Sequence, residues 1–416
     1  MNKGASRDMK KKLSRKKFTI LSVAYPFAPV RQDTAGGAEH VLAMLDSALV
    51  KHGHTSIVIA SKDSTPEGIL IETPGPDGKI DGRVESYVHK KHRAAISEAI
   101  KKWDIDLIHM HGIDFENYLP PEGIPVLVTL HLPPEWYSES INKITRPKTF
   151  FNCVSKSQKE SCPKLKGMMP FIENGVDISD YEEVSLDNNN LEKKIPEENS
   201  PKGNSPKKNN PEKNNPEEYK EGTGAEGYLK SNYALCLGRV CVEKGYHCAL
   251  DAAKKAGISL VIAGELFPYE YHQEFYRIEI APRLDGRDYK FIGPVGTERK
   301  RKLLKEARCV LIPSLVPETS SLVAMEAMAS GTPVIAYPQG ALKEIVEDGK
   351  TGFLVNSIDE MADAIKKISE IDPIVCRQTA RERYSSEKMI ERYFALYGSI
   401  ISKSRSERKH RQAANG

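Results

Sequence analysis

The sequence has no run of about 18 uninterrupted apolar residues, so nothing in it reads as a membrane span. Its start, MNKGASRDMKKKLSRKKF, is basic but lacks a small-residue cleavage site ahead of the first apolar segment, and reads as no signal peptide. There is no C-x-x-C; the seven cysteines (Cys153, Cys162, Cys236, Cys241, Cys248, Cys309, Cys376) are odd in number and several lie in apolar patterns. That excludes a disulfide framework and predicts buried free thiols in a reducing compartment. The dinucleotide fingerprint G-x-G-x-x-G is missing after the first strand, which argues against NAD. Gly349-Lys350-Thr351 ends like a phosphate-binding loop, but Glu344 stands where its first glycine belongs. His109-Met110-His111 lacks the Cys or carboxylate that would complete a metal set.

Charge is unevenly spread. Residues 1–17 carry eight Lys or Arg against the single Asp8, while the whole chain of 416 residues has a net charge of +4. The remainder is therefore slightly acidic and does not read as a nucleic-acid binder. The basic tail is expected to be a disordered, solvated arm, with contact to anionic lipid as the second reading. Lys403, Arg405, Arg408, Lys409 and Arg411 near the other end keep that second reading open. The expected location is cytoplasmic, either free or peripheral at the cytoplasmic membrane face.

The length exceeds the roughly 250 to 300 residues at which single cores stop growing, so more than one domain is expected. From Phe18 short apolar strands (TILSVAY, TSIVIAS, DLIHMHG, PVLVTLH, FFNCVS) alternate with polar or helical stretches. The first helix runs from Gly36 to Val50 with Val41, Leu42, Leu45 and Leu49 on one face. The segment LEKKIPEENSPKGNSPKKNNPEKNNPEE, within 183–230, has almost no apolar residues and reads as a disordered linker. The alternation then resumes with YALCLGR, ISLVIAGE, YKFIGPV, CVLIPS, TPVIAY and GFLV as strands. Helices are expected at Tyr269–Leu284, Glu298–Ala307, Ser320–Ser330 and over ALKEIVEDG. Such alternation argues for α/β domains with parallel sheets covered on both faces, whose ligands bind at the carboxyl ends of the strands. The expected division is a basic tail (1–17), an amino-terminal domain (18–182), the linker (183–230), a second domain (231–385) and a disordered basic tail (402–416). A helix over 386–401 is expected to return to the first domain.

Four motifs occur in order: AGGAE (35–39), ENGVD (173–177), GRVCVEKG (238–245) and PETSSLVAMEAMASGTPVIA followed by QGALKEIVEDGKTGFLV. Glu318 and Glu326 lie eight residues apart, with a helix start between them whose first N–H groups lack intrahelical partners and favour an anion. Arg239 offers a planar fork and Lys244 a compact charge, a pairing suited to a diphosphate. Gly36 and Gly37 allow close backbone approach at a second helix start. Taken singly, each feature also fits solvated surface charge or an ordinary turn.

Together these motifs resemble the retaining glycosyltransferases of family 4 (group 1), over nearly all of Phe18–Ile400 apart from the linker. The resemblance implies the GT-B architecture, two Rossmann-like doubly wound parallel-sheet domains facing each other across a cleft. It implies a hexosyltransferase-type, metal-independent enzyme that takes a sugar from a UDP-, GDP- or ADP-linked donor with retention. By resemblance the catalytic set is His131, Arg239, Lys244 and Glu318, with no cofactor. The donor is held by Gly36, Gly37, Arg239, Lys244, Glu318, Ser321, Leu322, Val323 and Glu326. In that reading Glu326 accepts from a ribose diol, Glu318 meets sugar hydroxyls, and the intervening amides meet the diphosphate. His109 and His111 are expected to be structural. Asp104-Ile105-Asp106 mimics a metal-binding D-x-D but begins a strand, at the wrong sheet edge. The chain departs from its relatives at Ser320 and Ser321, where an aromatic and a glycine are common, which leaves the sugar open. The acceptor is open too. A non-catalytic nucleotide-sugar-binding protein and an epimerase or phosphorylase of the same fold remain alternatives.

Overall fold

The computed structural model describes residues 17–32, 34, 36–75, 80–162, 165–181, 231–267 and 269–414, with side chains to 407. The expectations for residues 1–16 and for the Pro/Asn/Lys/Glu-rich segment lie outside these residues.

Two six-stranded parallel sheets form the frame. The first joins β1 (Thr19–Val23), β2 (Thr55–Ser61), β3 (Ile69–Thr73), β4 (Leu107–Met110), β5 (Val126–Leu130) and β6 (Thr149–Cys153) in the order β3-β2-β1-β4-β5-β6. The second joins β7 (Tyr233–Leu237), β8 (Ser259–Ala263), β9 (Tyr289–Phe291), β10 (Cys309–Ile312), β11 (Val334–Ala336) and β12 (Gly352–Leu354) in the order β12-β11-β10-β7-β8-β9. Both repeat the doubly wound order, which reverses direction beside the first strand and opens a crevice at the carboxyl ends. The inner strands are buried along their length because helices cover both faces, so they read as continuous apolar runs without alternation.

Helix α1 (Gly37–Lys51) follows β1, and α2 (Gly82–Lys102) follows β3; α3 (Lys156–Ser161) is capped by Ser155. In the second domain come α4 (Tyr246–Ala256), α5 (Glu270–Phe275), α6 (Thr297–Glu306), α7 (Leu322–Ala329), α8 (Leu342–Ile345), α9 (Ile358–Lys367) and α10 (Pro373–Arg383). The expected helix over Tyr269–Leu284 is helical from residue 270 to 283 but irregular: α5 passes into a π-turn at 276–280 and then a single 3-10 turn. Pro282 cannot donate an N–H and closes it off. The helix over ALKEIVEDG shrinks to α8, because Thr351 and the carbonyl of Glu347 take up the following backbone in a tight turn.

The last helix, α11 (Ser386–Ala414), crosses back to the first domain. Met389, Tyr393, Phe394, Leu396, Tyr397, Ile400 and Ile401 join Phe18, Ile20, Val41, Leu45, Leu49, Leu107 and Leu127 in one core on that sheet's α1 face. The expectation of a disordered tail at 402–416 is corrected here, since α11 continues to Ala414. Arg405 pairs with Asp106, and Lys148 donates to Ser404 Oγ at 2.9 Å. The same Asp106 accepts from Thr19 N, so its carboxylate is structural. Among the described residues no helix is long and apolar enough to cross a membrane. All seven cysteines are free, and all but the half-buried Cys162 are buried.

Candidate functional site

The carboxyl ends of both sheets turn toward each other. Gly37, the first residue of α1, and Leu322, the first of α7, meet there: a Cβ on Gly37 would lie 3.7 Å from Leu322 Cδ1. Two helix starts from different domains thus converge on one cavity. It is lined by Gln32, Thr34, Gly36, Gly37 and His40 from the first domain. The second domain contributes Arg239, Gly264, Glu265, Thr297, Lys300, Leu322, Val323 and Glu326.

Close packing of loops makes this edge. Gly238 has φ +134° and Gly264 φ +149°, and a Cβ on Gly264 would stand 1.8 Å from the Gly238 carbonyl oxygen. The turn after β7 therefore lies directly on the turn after β8, a contact that only glycine permits. Val240 N donates to the Glu265 carbonyl at 2.9 Å and Leu315 N to the Glu243 carbonyl at 2.8 Å. GRVCVEKG is thereby stitched to the loops following β8 and β10.

The two glutamates each hold a lysine. Lys244 Nζ lies 2.5 Å from Glu318 Oε1, which also accepts from Ser314 Oγ at 2.6 Å. Lys300 Nζ lies 2.7 Å from Glu326 Oε1. The Glu318 backbone is fixed as well, because Ala341 N donates to its carbonyl at 2.7 Å and Gly340 passes it at φ +59°. One residue on, Thr319 Oγ1 donates to the His131 carbonyl at 2.7 Å and ties this loop to the first domain. Ser321 caps α7 through Ala324 N.

Gly36, Gly37, Arg239, Leu322, Val323 and Glu326 line the cavity, whereas Lys244, Glu318, Ser321 and His131 are not among its lining residues; Lys244 and Glu318 pair with each other, and Thr319 ties their loop to His131. Four functional candidates escaped the sequence reading. Lys300 occupies Glu326. Tyr181 also bonds that carboxylate, and its hydroxyl pKa is raised by burial and then by the Glu326 charge. His40 is held below its ordinary range by burial, against the pull of Glu326. Glu39 curls back over the start of α1, where a Cβ on Gly36 would meet its Oε2 at 1.9 Å. Burial raises the Glu39 pKa, and its own backbone N–H and the Arg239 charge oppose the rise. Only the glutamate of AGGAE gave any signal for this group.

His131 heads a buried row. Its ring stacks on that of His111, with Nε2 3.0 Å from His111 Nδ1; His109, tilted against His111, contacts Tyr397 Oη and Thr129 Oγ1 at 2.7 Å each. Burial lowers all three pKa values, that of His131 to about 3. ENGVD lies away from the cavity: Gly175 packs on the Ser385 carbonyl, and Val176 N donates to the Tyr384 carbonyl at 2.8 Å, at the point where the chain crosses back. A further depression lined by Ser231, Asn232, Arg308 and Pro333 opens at the amino ends of the second sheet's strands, where no ligand is expected. Cys241, Glu243 and His272 bring metal-ligating atoms together among the described residues.

Residues 224–386 match the family described as glycosyl transferases group 1, and residues 35–180 the one described as glycosyltransferase family 4. Over 157 residues, 36% of each chain, the sequence is 31% identical to a D-inositol 3-phosphate glycosyltransferase of Mycolicibacterium smegmatis. The chain matches less than half the length of such curated relatives. Among solved structures, sucrose-phosphate synthase from Thermosynechococcus elongatus superposes with a TM-score of 0.69 at 19% identity, covering 92% of this chain and 100% of that one. Anabaena HepE in complex with UDP and glucose gives 0.64 at 18%, covering 92% and 100%. Two family matches spanning both sheets, on a frame shared with these structures, establish that the chain belongs to the group 1 glycosyltransferases and has their GT-B fold.

Proposed function

We propose that the protein transfers a sugar, with retention of anomeric configuration, from a nucleoside diphosphate sugar to a hydroxyl acceptor, without a catalytic metal. The observation that carries this reading is the convergence of the α1 and α7 starts at Gly37 and Leu322, on a cavity that also presents Arg239 and Glu326. Glu326 accepts hydrogen bonds from a ribose diol in exchange for Lys300, which then faces the diphosphate. Arg239 and Lys244 take the charge of the leaving phosphate, and fixed cations and amides replace a metal electrostatically. Glu318, anchored by Ser314 and the Gly340 turn, meets hydroxyls of the transferred sugar. No side chain stands out as a nucleophile, so the leaving phosphate oxygen accepts the acceptor proton on the same face of the sugar. The protein contributes positioning and charge stabilisation, completed by domain closure.

Calorimetric titration with UDP, GDP, ADP and their sugar conjugates, in EDTA, tests the donor half. One nucleotide is expected to bind clearly above the others, and the absence of binding by all of them overturns the reading. Turnover separates the alternatives: binding without transfer identifies a non-catalytic binder, and UDP release without acceptor an epimerase. NMR of the product's anomeric configuration tests retention.

A further inference from the structure

The loop between Arg239 and Lys244 carries two polar side chains that the nucleotide reading leaves without a task. Cys241 and Glu243, two apart, project from this loop toward His272 on α5. The thiol sulfur, a carboxylate oxygen and an imidazole nitrogen all lie within 4.8 Å of one another. His272 is 2% exposed, and its Nδ1 is buried with no hydrogen-bond partner. Glu243 Oε2 is buried without a partner as well, although the Cys241 thiol bonds the same carboxylate. Leaving such an atom unsatisfied forfeits its hydration without a replacement, so two of them converging beside a thiol are unexpected in a merely structural cluster.

We propose that Cys241, Glu243 and His272 bind one divalent transition-metal ion of the zinc type. A thiolate, an imidazole and a carboxylate are the donor set such an ion selects, and three protein ligands leave a fourth position for water. On binding, the Cys241 S–H bond breaks and its proton passes to solvent; sulfur, His272 Nδ1 and a Glu243 oxygen each donate a lone pair, and nothing is oxidised or reduced. The proton now shared between the thiol and the Arg239 carbonyl, at 3.8 Å, is the one released. The two anionic ligands, thiolate and carboxylate, balance the two positive charges of the ion beside the Arg239 guanidinium. None of the three ligands lines the cavity, so the ion clips the loop that holds Arg239 and Lys244 to α5 and does not contact the phosphate. His247 and Cys248, 3.4 Å apart, belong to no such three-ligand group among the described residues and serve as the comparison.

The test uses full-length protein freed of metal by a chelator, titrated with zinc chloride against a chromophoric competitor and, separately, with cobalt(II). One zinc per chain and a thiolate-to-cobalt charge-transfer band are expected. Cys241→Ser and His272→Ala should each weaken zinc binding roughly a hundredfold or more, above the 10–100-fold typical of outer-shell changes. Cys248→Ser should leave it unchanged. Circular dichroism of the metal-free variants checks folding, and Glu243→Gln, which keeps the side-chain shape, provides a third variant with the same expected loss. Failure of the wild type to take up an equivalent of zinc, absence of the charge-transfer band, or undiminished binding in both Cys241→Ser and His272→Ala overturns the proposal. The zinc titration contains no nucleotide, so its outcome is independent of the donor assignment.

Discussion

Lys244 and Glu318 are each partly withdrawn from water, at 26% and 12% side-chain exposure, and their 2.5 Å contact occupies both charges. In the proposed function donor entry re-divides that charge: a phosphate competes for Lys244, while sugar hydroxyls compete for Glu318. A charge-assisted bond contributes about 1.5–3 kcal/mol. Lys244→Ala and Glu318→Ala are therefore expected to lower kcat/KM roughly ten- to a hundredfold each, with a far-UV spectrum like wild type. Rates unchanged in both variants sink the assignment. Histidine titration supplies a second expectation. His109, His111 and His131 are buried with depressed pKa values, so the unfolded chain binds more protons than the folded one below the ordinary histidine value of 6.5. Stability present above that pH is lost as pH falls toward about 3, the His131 value. Between pH 7 and pH 5 His131 alone contributes a loss of about 2 kcal/mol. Urea unfolding at both pH values checks it: in His131→Asn the difference between them should narrow by about that amount, whatever the variant's absolute stability.

The turns that present these side chains depend on glycine where backbones touch. At Gly340, φ is +59° and a Cβ would sit 2.3 Å from the Glu318 carbonyl oxygen. Gly340→Ala must push the Glu318 loop aside, at a cost of about 1–3 kcal/mol in stability. It should also lower transfer about as much as Glu318→Ala, which thermal unfolding and initial rates together would establish. A Cβ on Gly37 meets ordinary contact distance instead, so Gly37→Ala should leave stability unchanged while its methyl, entering the cavity, weakens donor binding. Such distinctions were beyond the sequence, which marks glycines but not what they face. The inner strands and the E-x7-E helix start were legible because continuous apolar runs and motif spacing are local signals. Strand β3 was not: ILIET is an edge strand with a mostly exposed or half-buried pattern. Nor was α2, whose 21 residues bury only Val88, His92, Ala95, Ile96 and Ala99, too thin a stripe for periodicity to show. Lys300 lies in TERKRKLLKE, where one cation looks like the next until the fold sets it against Glu326. Tyr181 follows the same logic, since nothing local ties it to a helix over a hundred residues later.

The two sheets are joined by more than a cleft. Helix α11 is chemically part of the first domain's core although the chain reaches it from the second, and Arg383 and Arg392 both approach Glu173 at the crossing. Beside that crossing, where Arg383 and Tyr384 donate to its carbonyl, Glu344 of α8 accepts from Ser157 N at 2.6 Å and Lys156 N at 3.2 Å, supplying the first N–H groups of α3 with a carboxylate from the other domain. The residue that spoils a phosphate-loop pattern in the sequence thus holds the domains together in space. Because the proposed donor site draws on both domains, any contact present only when they are close would add to donor affinity in the closed state and be absent from the open one. A carboxylate on free helix N–H groups contributes about 0.5–2 kcal/mol. Glu344→Ala is accordingly expected to raise the donor KM roughly two- to thirtyfold, to leave the thermal unfolding of each domain almost unchanged because Ser155 still caps α3, and to increase the radius of gyration measured by X-ray scattering. An unchanged KM together with an unchanged radius would mean that closure is held elsewhere, at the Thr319–His131 bond, and Thr319→Val would then be the variant in which both quantities move.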